Sequence, residues 1–141
     1  MRIAIFGTGF GDDGKAKIGQ DILHLGLYAD FEAVARFNGG KNAGQTYETD
    51  RGFVRSHVVP YGADDEGVYK AVLAGCVVEP ISLMQEIRDL REIGFRIDGK
   101  TLGVSGRAQV TLEYHLKEEL RQEESKNSFG TTKSGIAPTF R

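Results

Sequence analysis

At 141 residues with 40% hydrophobic side chains, the chain has apolar surface for one modest core and too little length for two ordinary domains. Its 18 Lys and Arg against 20 Asp and Glu give a formal charge of −2, which excludes an electrostatically driven nucleic-acid or anionic-membrane surface. A single cysteine, Cys76, rules out an internal disulfide, and no apolar run reaches the length of a spanning helix or a signal h-region, so the cytoplasm is the expected location.

In chain order, Ile3-Ala4-Ile5-Phe6 reads as a short buried strand that feeds the glycine-rich stretch Gly7 to Lys17. Ile18, Ile22, Leu25 and Ala29 then recur at helical spacing, which puts the glycines at a strand-to-helix turn. Glycines at such a turn allow positive φ and close approach, and the unpaired amides and positive dipole end of the helix favour an anion. Lys15 supplies a point charge beside them. Gly9 to Lys15 fits the spacing G-x-x-x-x-G-K of a nucleotide phosphate loop, with Ala16 standing where Ser or Thr would bind magnesium. The metal ligand must then come from elsewhere, and Asp12 and Asp13 lie inside the loop. Gly9, Gly11 and Gly14 also satisfy the dinucleotide fingerprint G-x-G-x-x-G, whose acidic ribose partner has Asp30 as its nearby candidate.

Ala33 to Phe37 is the second predicted strand, and it runs into a second glycine-rich loop, Asn38 to Thr46. Gln45 to Thr49 and Phe53 to Val59, separated by Asp50, Arg51 and Gly52, predict a hairpin ending at Pro60-Tyr61-Gly62. Val68 to Val78 predicts one further buried strand, with Cys76 as a small core hydrophobe. Leu83, Met84, Ile87 and Leu90 mark an amphipathic helix that opens near Pro80 and closes at Gly94. A strand near Leu102 to Val104 and a helix from about Val110 to Glu124 complete the pattern. Beyond them Phe129 to Gly135 forms a third polar loop, in which Thr131, Thr132 and Ser134 offer hydroxyls and Lys133 a charge. Strands alternating with helices predict an α/β fold, a partly parallel sheet with flanking helices, whose ligands gather at the carboxyl ends of strands.

Taken together and in this order, the three loops resemble adenylosuccinate synthetase, whose motifs read approximately WGDEGKGK, NAGHT and GTTGRGIGP. They stand here as Phe10 to Lys17, Asn42 to Thr46 and Gly130 to Pro138. His57 with Pro60 and Gly62 is similar to the family's L-H-L-x-P-x-G, Gly75 to Pro80 to its G-V-V-x-x-P, and Tyr114-His115 to its P-Y-H. The resemblance covers nearly the whole chain. It implies that residues 1–141 form the amino-terminal part of a nucleotide-binding domain, P-loop-NTPase-like and incomplete. It implies a ligase that joins L-aspartate to IMP at the expense of GTP, with Mg2+, by phosphorylating the purine 6-oxygen and displacing phosphate with the aspartate amine. By the same resemblance Asp12 is the catalytic base and a magnesium contact, and Lys15 balances charge on the transferred phosphoryl group. Gly11, Asp12, Asp13, Gly14, Lys15, Ala16 and Lys17 would cradle GTP together with Gly44, Gln45 and Thr46. IMP would touch Asp12, Asp13, Gly14, Lys15, Asn42, Ala43, Gly44, Gln45 and Thr132, with the Gly44 carbonyl as a second magnesium ligand. A homodimer is the family's expected assembly.

The chain departs from this pattern in three ways. Gln45 occupies the catalytic position of the histidine in NAGHT, and glutamine can donate a hydrogen bond but cannot give up a proton. Lys41, four residues earlier, is a candidate cationic substitute. Extra residues lie between Lys17 and Arg36, and the segments that recognise guanine and aspartate in the family lie beyond Arg141. Ligation by these residues alone is therefore not expected, and a non-catalytic module that binds purine nucleotides is the alternative.

Overall fold

The computed structural model describes residues 2–9, 11, 13–26, 31–124 and 132–140. In chain order the elements are α1 (Lys15–Leu25), β1 (Ala33–Arg36), β2 (Gln45–Thr49), β3 (Gly52–Ser56), β4 (Tyr69–Val72), β5 (Val77–Val78), α2 (Pro80–Glu92), β6 (Leu102–Val104), β7 (Gln109–Val110), α3 (Glu113–Glu124) and α4 (Ile136–Thr139). The expected α/β class is the one observed.

The centre is a parallel sheet in the order β1-β4-β6, in register Val34↔Lys70 and Lys70↔Leu102. Alternation along each strand sends Val34, Val72 and Leu102 to the buried face, and Lys70 with them. Lys70 sits at 0% exposure, and its ammonium donates to the carbonyl of Asp65. Burial pushes the Lys70 pKa down, partly offset by the charges of Asp65, Asp64 and Glu66.

Sequence spacing predicts a single strand from Val68 to Val78, but the chain breaks it in two. Cys76 N–H turns back to the Leu73 carbonyl at 3.0 Å, and in the neighbouring strand Ala108 N–H turns back to Ser105 at 3.0 Å. Both strands jog together, so the ladder resumes: Val77 N–H bonds Gly39 at 2.9 Å, Gln109 N–H bonds Cys76 at 3.0 Å, and Thr111 N–H bonds Val78 at 2.8 Å. For the same reason residues 109–110 are the strand β7, and α3 begins at Glu113 rather than Val110. The jog needs a residue without a side chain, because a Cβ on Gly75 would lie 2.3 Å from the Phe37 carbonyl oxygen. Gly75→Ala is therefore expected to lower stability by about 1–3 kcal/mol, read as a fall in the urea midpoint at constant m.

The antiparallel pair β2-β3 closes through Asp50 and Arg51 in register Gln45↔Ser56, as the turn chemistry predicts. Tyr47 and Val54 point inward from it and join Val58, Val59, Val72, Cys76, Leu83, Leu90 and Ile97 in the core. Burial raises the Cys76 thiol pKa, in keeping with an inert core side chain. From α2, Leu83 and Leu90 enter this core beside Glu86, whose carboxylate accepts the N–H groups of Val58 and Val59 at 3.1 and 2.8 Å.

Two sequence expectations are corrected. Residues 2–9 form no strand: the segment finds no strand partner among the described residues, and Phe6 is 70% exposed, edge-on to Phe37. In α1 the buried face is Ala16, Gly19 and Gln20, not the stripe through Ile18 and Leu25, which are 51% and 63% exposed. Ala29 lies outside the described residues. Tyr61 explains the rotation, because its ring lies against Gly19, while Gln20 accepts Gly62 N–H at 2.9 Å and donates to Asp64 at 2.8 Å. No helix among the described residues is long and apolar enough to cross a membrane.

Candidate nucleotide site

The first loop enters α1 through glycine in the left-handed region: φ is 114° at Gly11 and 69° at Gly14, the N-cap of the helix. Gly14 brings no side chain to cap the helix, so the first-turn N–H groups have no side-chain cap partner, and the helix dipole adds positive potential there. Lys15 and Asp13 form an ion pair at 2.6 Å. The pair lies against the backbone of the preceding segment, since a Cβ on Gly7 would fall 2.0 Å from Asp13 Oδ2 and one on Gly9 would fall 2.8 Å from Asp13 Oδ1. A carboxylate and an ammonium therefore already occupy the lap of the turn, where a phosphate would need the ammonium and displace the carboxylate. Ala16 is buried beneath the turn, and Lys17 is exposed. Asp12, with Phe10 and Thr131, lies outside the described residues.

The second loop leaves the carboxyl end of β1. Arg36 braces it, donating from Nη2 to the Gly40 carbonyl at 2.8 Å and from Nε to the Asn38 carbonyl at 3.2 Å. Asn42 Oδ1 accepts Gly40 N–H at 3.3 Å, and Ala43 N–H closes on the Gly40 carbonyl at 3.3 Å. Sequence reasoning gave Arg36 no role, although an arginine ending an apolar strand at a glycine loop is a readable signal. Burial lowers its pKa, against the opposing influence of Cys76 and Glu86, and its Nη1 is buried without a hydrogen-bond partner among the described residues.

Gln45 opens β2 on the face that carries Tyr47, and Thr46 points out. Continuing the hairpin register sets Gly44 opposite His57, and a Cβ on Gly44 would lie 3.7 Å from His57 Nε2. Helix α1 packs along β2, two elements of about 16 Å each. Asp21 and His24 line a cleft of about 540 Å³ with Glu48, Thr49, Asp50 and Asp64. This leaves the Lys15 end of α1 toward the Gly44–Gln45 end of β2. Four carboxylates in the cleft repel phosphate, which leaves the opposite, glycine-capped end of the helix as the candidate for an anion. His24 is tied to Gln20 at 2.9 Å and Asp64 at 3.1 Å, a satisfied helical histidine.

Lys41 does not stand in for the missing histidine. Its ammonium is ion-paired with Glu79, which also accepts the Ser82 hydroxyl. Burial works to raise the Glu79 carboxyl, but hydrogen bonds from Lys41 and Ser82 and the Lys41 charge outweigh it and hold the pKa below its ordinary 4.5. A carboxyl depressed on folding stabilises above its unfolded pKa and loses that contribution as pH falls through the folded one. Lys41→Met is thus expected to destabilise the chain near neutral pH, with the difference from the parent fading below about pH 4, as urea titrations at the two pH values would show.

The third loop meets the second, because Ile136 Cδ1 lies 2.5 Å from where a Gly40 Cβ would stand. Glu119 accepts Gly135 N–H, Thr139 bonds Thr111 at 3.0 Å, and Ser134 donates to the Thr132 carbonyl at 3.3 Å. Lys133 holds φ 54°, a left-handed geometry that most side chains avoid, at the position where the motif GTTGRGIGP has glycine. The structure thus joins the second loop to the third directly and to the first through α1 and β2.

Comparison with known proteins bears on this arrangement. The family model for adenylosuccinate synthetase matches residues 4–141. Adenylosuccinate synthetases of Lysinibacillus sphaericus and Staphylococcus saprophyticus are 39% and 41% identical to the chain, over 99% and 98% of its length. The chain spans 31% of the length of each of these curated relatives. The solved structure of fully ligated adenylosuccinate synthetase from Plasmodium falciparum superimposes with a TM-score of 0.73 at 32% identity, over 91% of this chain and 29% of that one. Succinoaminodeoxyadenylate synthetase (PurZ) of cyanophage S-2L, solved with dGMP and dATP, shares the fold at a TM-score of 0.68 and 22% identity, over 92% of this chain and 34% of that one. The chain belongs to the adenylosuccinate synthetase family.

Proposed function

We propose that this chain carries the phosphate-gripping end of a GTP-dependent ligase that joins L-aspartate to IMP in purine biosynthesis. The observation that carries the reading is the start of α1, where a glycine N-cap, first-turn amides without a side-chain cap and the Lys15 ammonium converge on one lap. In this role Lys15 leaves Asp13 and pairs with a phosphoryl oxygen, while the amides of Gly14 to Lys17 hold the phosphate tail in place. Gly11 to Lys17 with Gly44, Gln45 and Thr46 serve GTP, and Asn42 to Gln45 with Thr132 serve IMP. Asp12 takes the purine ring proton so that the 6-oxygen becomes nucleophilic.

The donor set suits magnesium: the loop offers the carboxylates of Asp12 and Asp13, and Gly44 a backbone carbonyl. That is how this ion is usually held, through one or two carboxylates and the phosphates of the substrate. Asp12 and the Gly44 carbonyl would hold it, and when bound it would neutralise charge on the transferring phosphoryl group. A homodimer and a cytoplasmic location complete the proposal.

Isothermal titration with GTP, IMP and Mg2+ tests it: saturable heat is expected, and no heat for any combination contradicts it. A second reading, a binding module without catalysis, is favoured by Gln45, whose amide cannot protonate a phosphoryl oxygen, and by the commitment of Lys41 to Glu79. Gln45→His separates the two, because a gain of phosphate release marks an impaired enzyme and no gain marks a binder.

A further inference from the structure

The chain has three histidines, and two are spoken for. His24 is held by Gln20 and Asp64, and His115 is buried with Nδ1 accepting Leu112 N–H at 2.9 Å. His57 is half-buried and makes no side-chain hydrogen bond or ion pair among the described residues. Its backbone is nonetheless firmly placed. Ser56 Oγ donates to the Val59 carbonyl at 2.8 Å, and the Glu86 carboxylate takes the N–H groups of Val58 and Val59. The ring presents its Nε2–Cδ2 edge to Gly44, with those atoms 3.7 and 3.8 Å from where a Gly44 Cβ would be. Because Gly44 has no side chain, nothing from that residue covers the edge. The next residue is Gln45, whose amide has no acidic proton.

We infer that His57 contacts the phosphoryl oxygens of the bound nucleotide through Nε2, supplying beside Gly44 the imidazole N–H that Gln45 cannot. Nε2 donates when the imidazole is protonated and, when it is neutral, in the tautomer that carries the proton on Nε2, so the contact is open to both charge states. It needs no movement of β3, since the ring already borders the glycine. The inference rests on the nucleotide-site reading above.

The test uses the 141-residue chain labelled with 15N in histidine and a non-hydrolysable β,γ-imido analogue of GTP with IMP and Mg2+. Long-range 1H–15N spectra are expected to show the His57 Nε2 resonance moving on saturation while His24 and His115 stay in place. In parallel calorimetry, His57→Leu, which removes the donor, is expected to weaken binding by about tenfold, the loss of one hydrogen bond to a charged group. Gly44→Ala should weaken it comparably without unfolding, because its methyl sits at ordinary contact distance from Nε2 and would cover the ring edge. Nucleotide binding with an unmoved His57 resonance, or unchanged affinity in His57→Leu, overturns the assignment alone. No binding by the unaltered chain overturns the nucleotide-site reading and this contact with it.

Discussion

Replacing Glu86 with leucine is expected to destabilise the chain by about 2–5 kcal/mol, although the residue sits on a helix and leucine is the better core side chain by volume and polarity. The carboxylate accepts Val59 N–H at 2.8 Å and Val58 N–H at 3.1 and 3.2 Å, and Glu86 is only 8% exposed. Leucine would leave both amides buried and unpaired, each at about 1–3 kcal/mol, and the transfer of one apolar side chain offsets only part of that. Glu86→Gln keeps one acceptor oxygen and should cost distinctly less. Guanidinium unfolding at constant m measures both. A leucine variant as stable as the parent would mean that the Val58–Val59 turn holds itself, and that the placement of His57 does not depend on α2.

Lys15→Met is expected to leave folding nearly untouched and to weaken nucleotide binding by about 10- to 100-fold. Two magnitudes decide this. The Lys15–Asp13 pair is partly exposed, at 43% and 24% of the side chains, and such pairs contribute about 0–1 kcal/mol to stability. A charge-assisted bond to phosphate in a glycine-lined lap contributes more, because the ammonium has fewer waters to compete with. Calorimetric affinity for GTP with Mg2+, set beside a thermal melt, separates the two effects. Equal affinity in the variant would remove Lys15 from the site.

The sequence made legible those features that depend on local chemistry. The helix from Pro80 to Gly94, the hairpin around Asp50 and Arg51, and the glycine entry to α1 follow from capping, turn and φ preferences within a few residues. What it hid depends on partners distant in the chain. Ile3 to Phe6 has the pattern of a strand, but pattern supplies no neighbour to pair with. Ile18 and Leu25 have helical spacing, yet Tyr61 on Gly19 turns α1 the other way. The jog at Leu73 to Gly75 exists because the strand beside it jogs as well, which no single segment can announce. Nothing in the local sequence of Glu86 announces the two amides it accepts, nor in that of Arg36 its bracing of Asn38 and Gly40. Of the candidate site, the loops and Lys15 were legible, while the commitment of Lys41 to Glu79 and the placement of His57 beside Gly44 needed coordinates.

Amide mapping by 1H–15N correlation spectra of the 141-residue chain, titrated with the β,γ-imido analogue of GTP and Mg2+, tests the central claim most directly. The account predicts that the largest shifts fall on the backbone N–H groups of Gly14, Lys15, Ala16 and Lys17, followed by Gly44 and Gln45. Shifts confined to the acidic cleft of Asp21, His24 and Asp64, with the start of α1 unmoved, would contradict it.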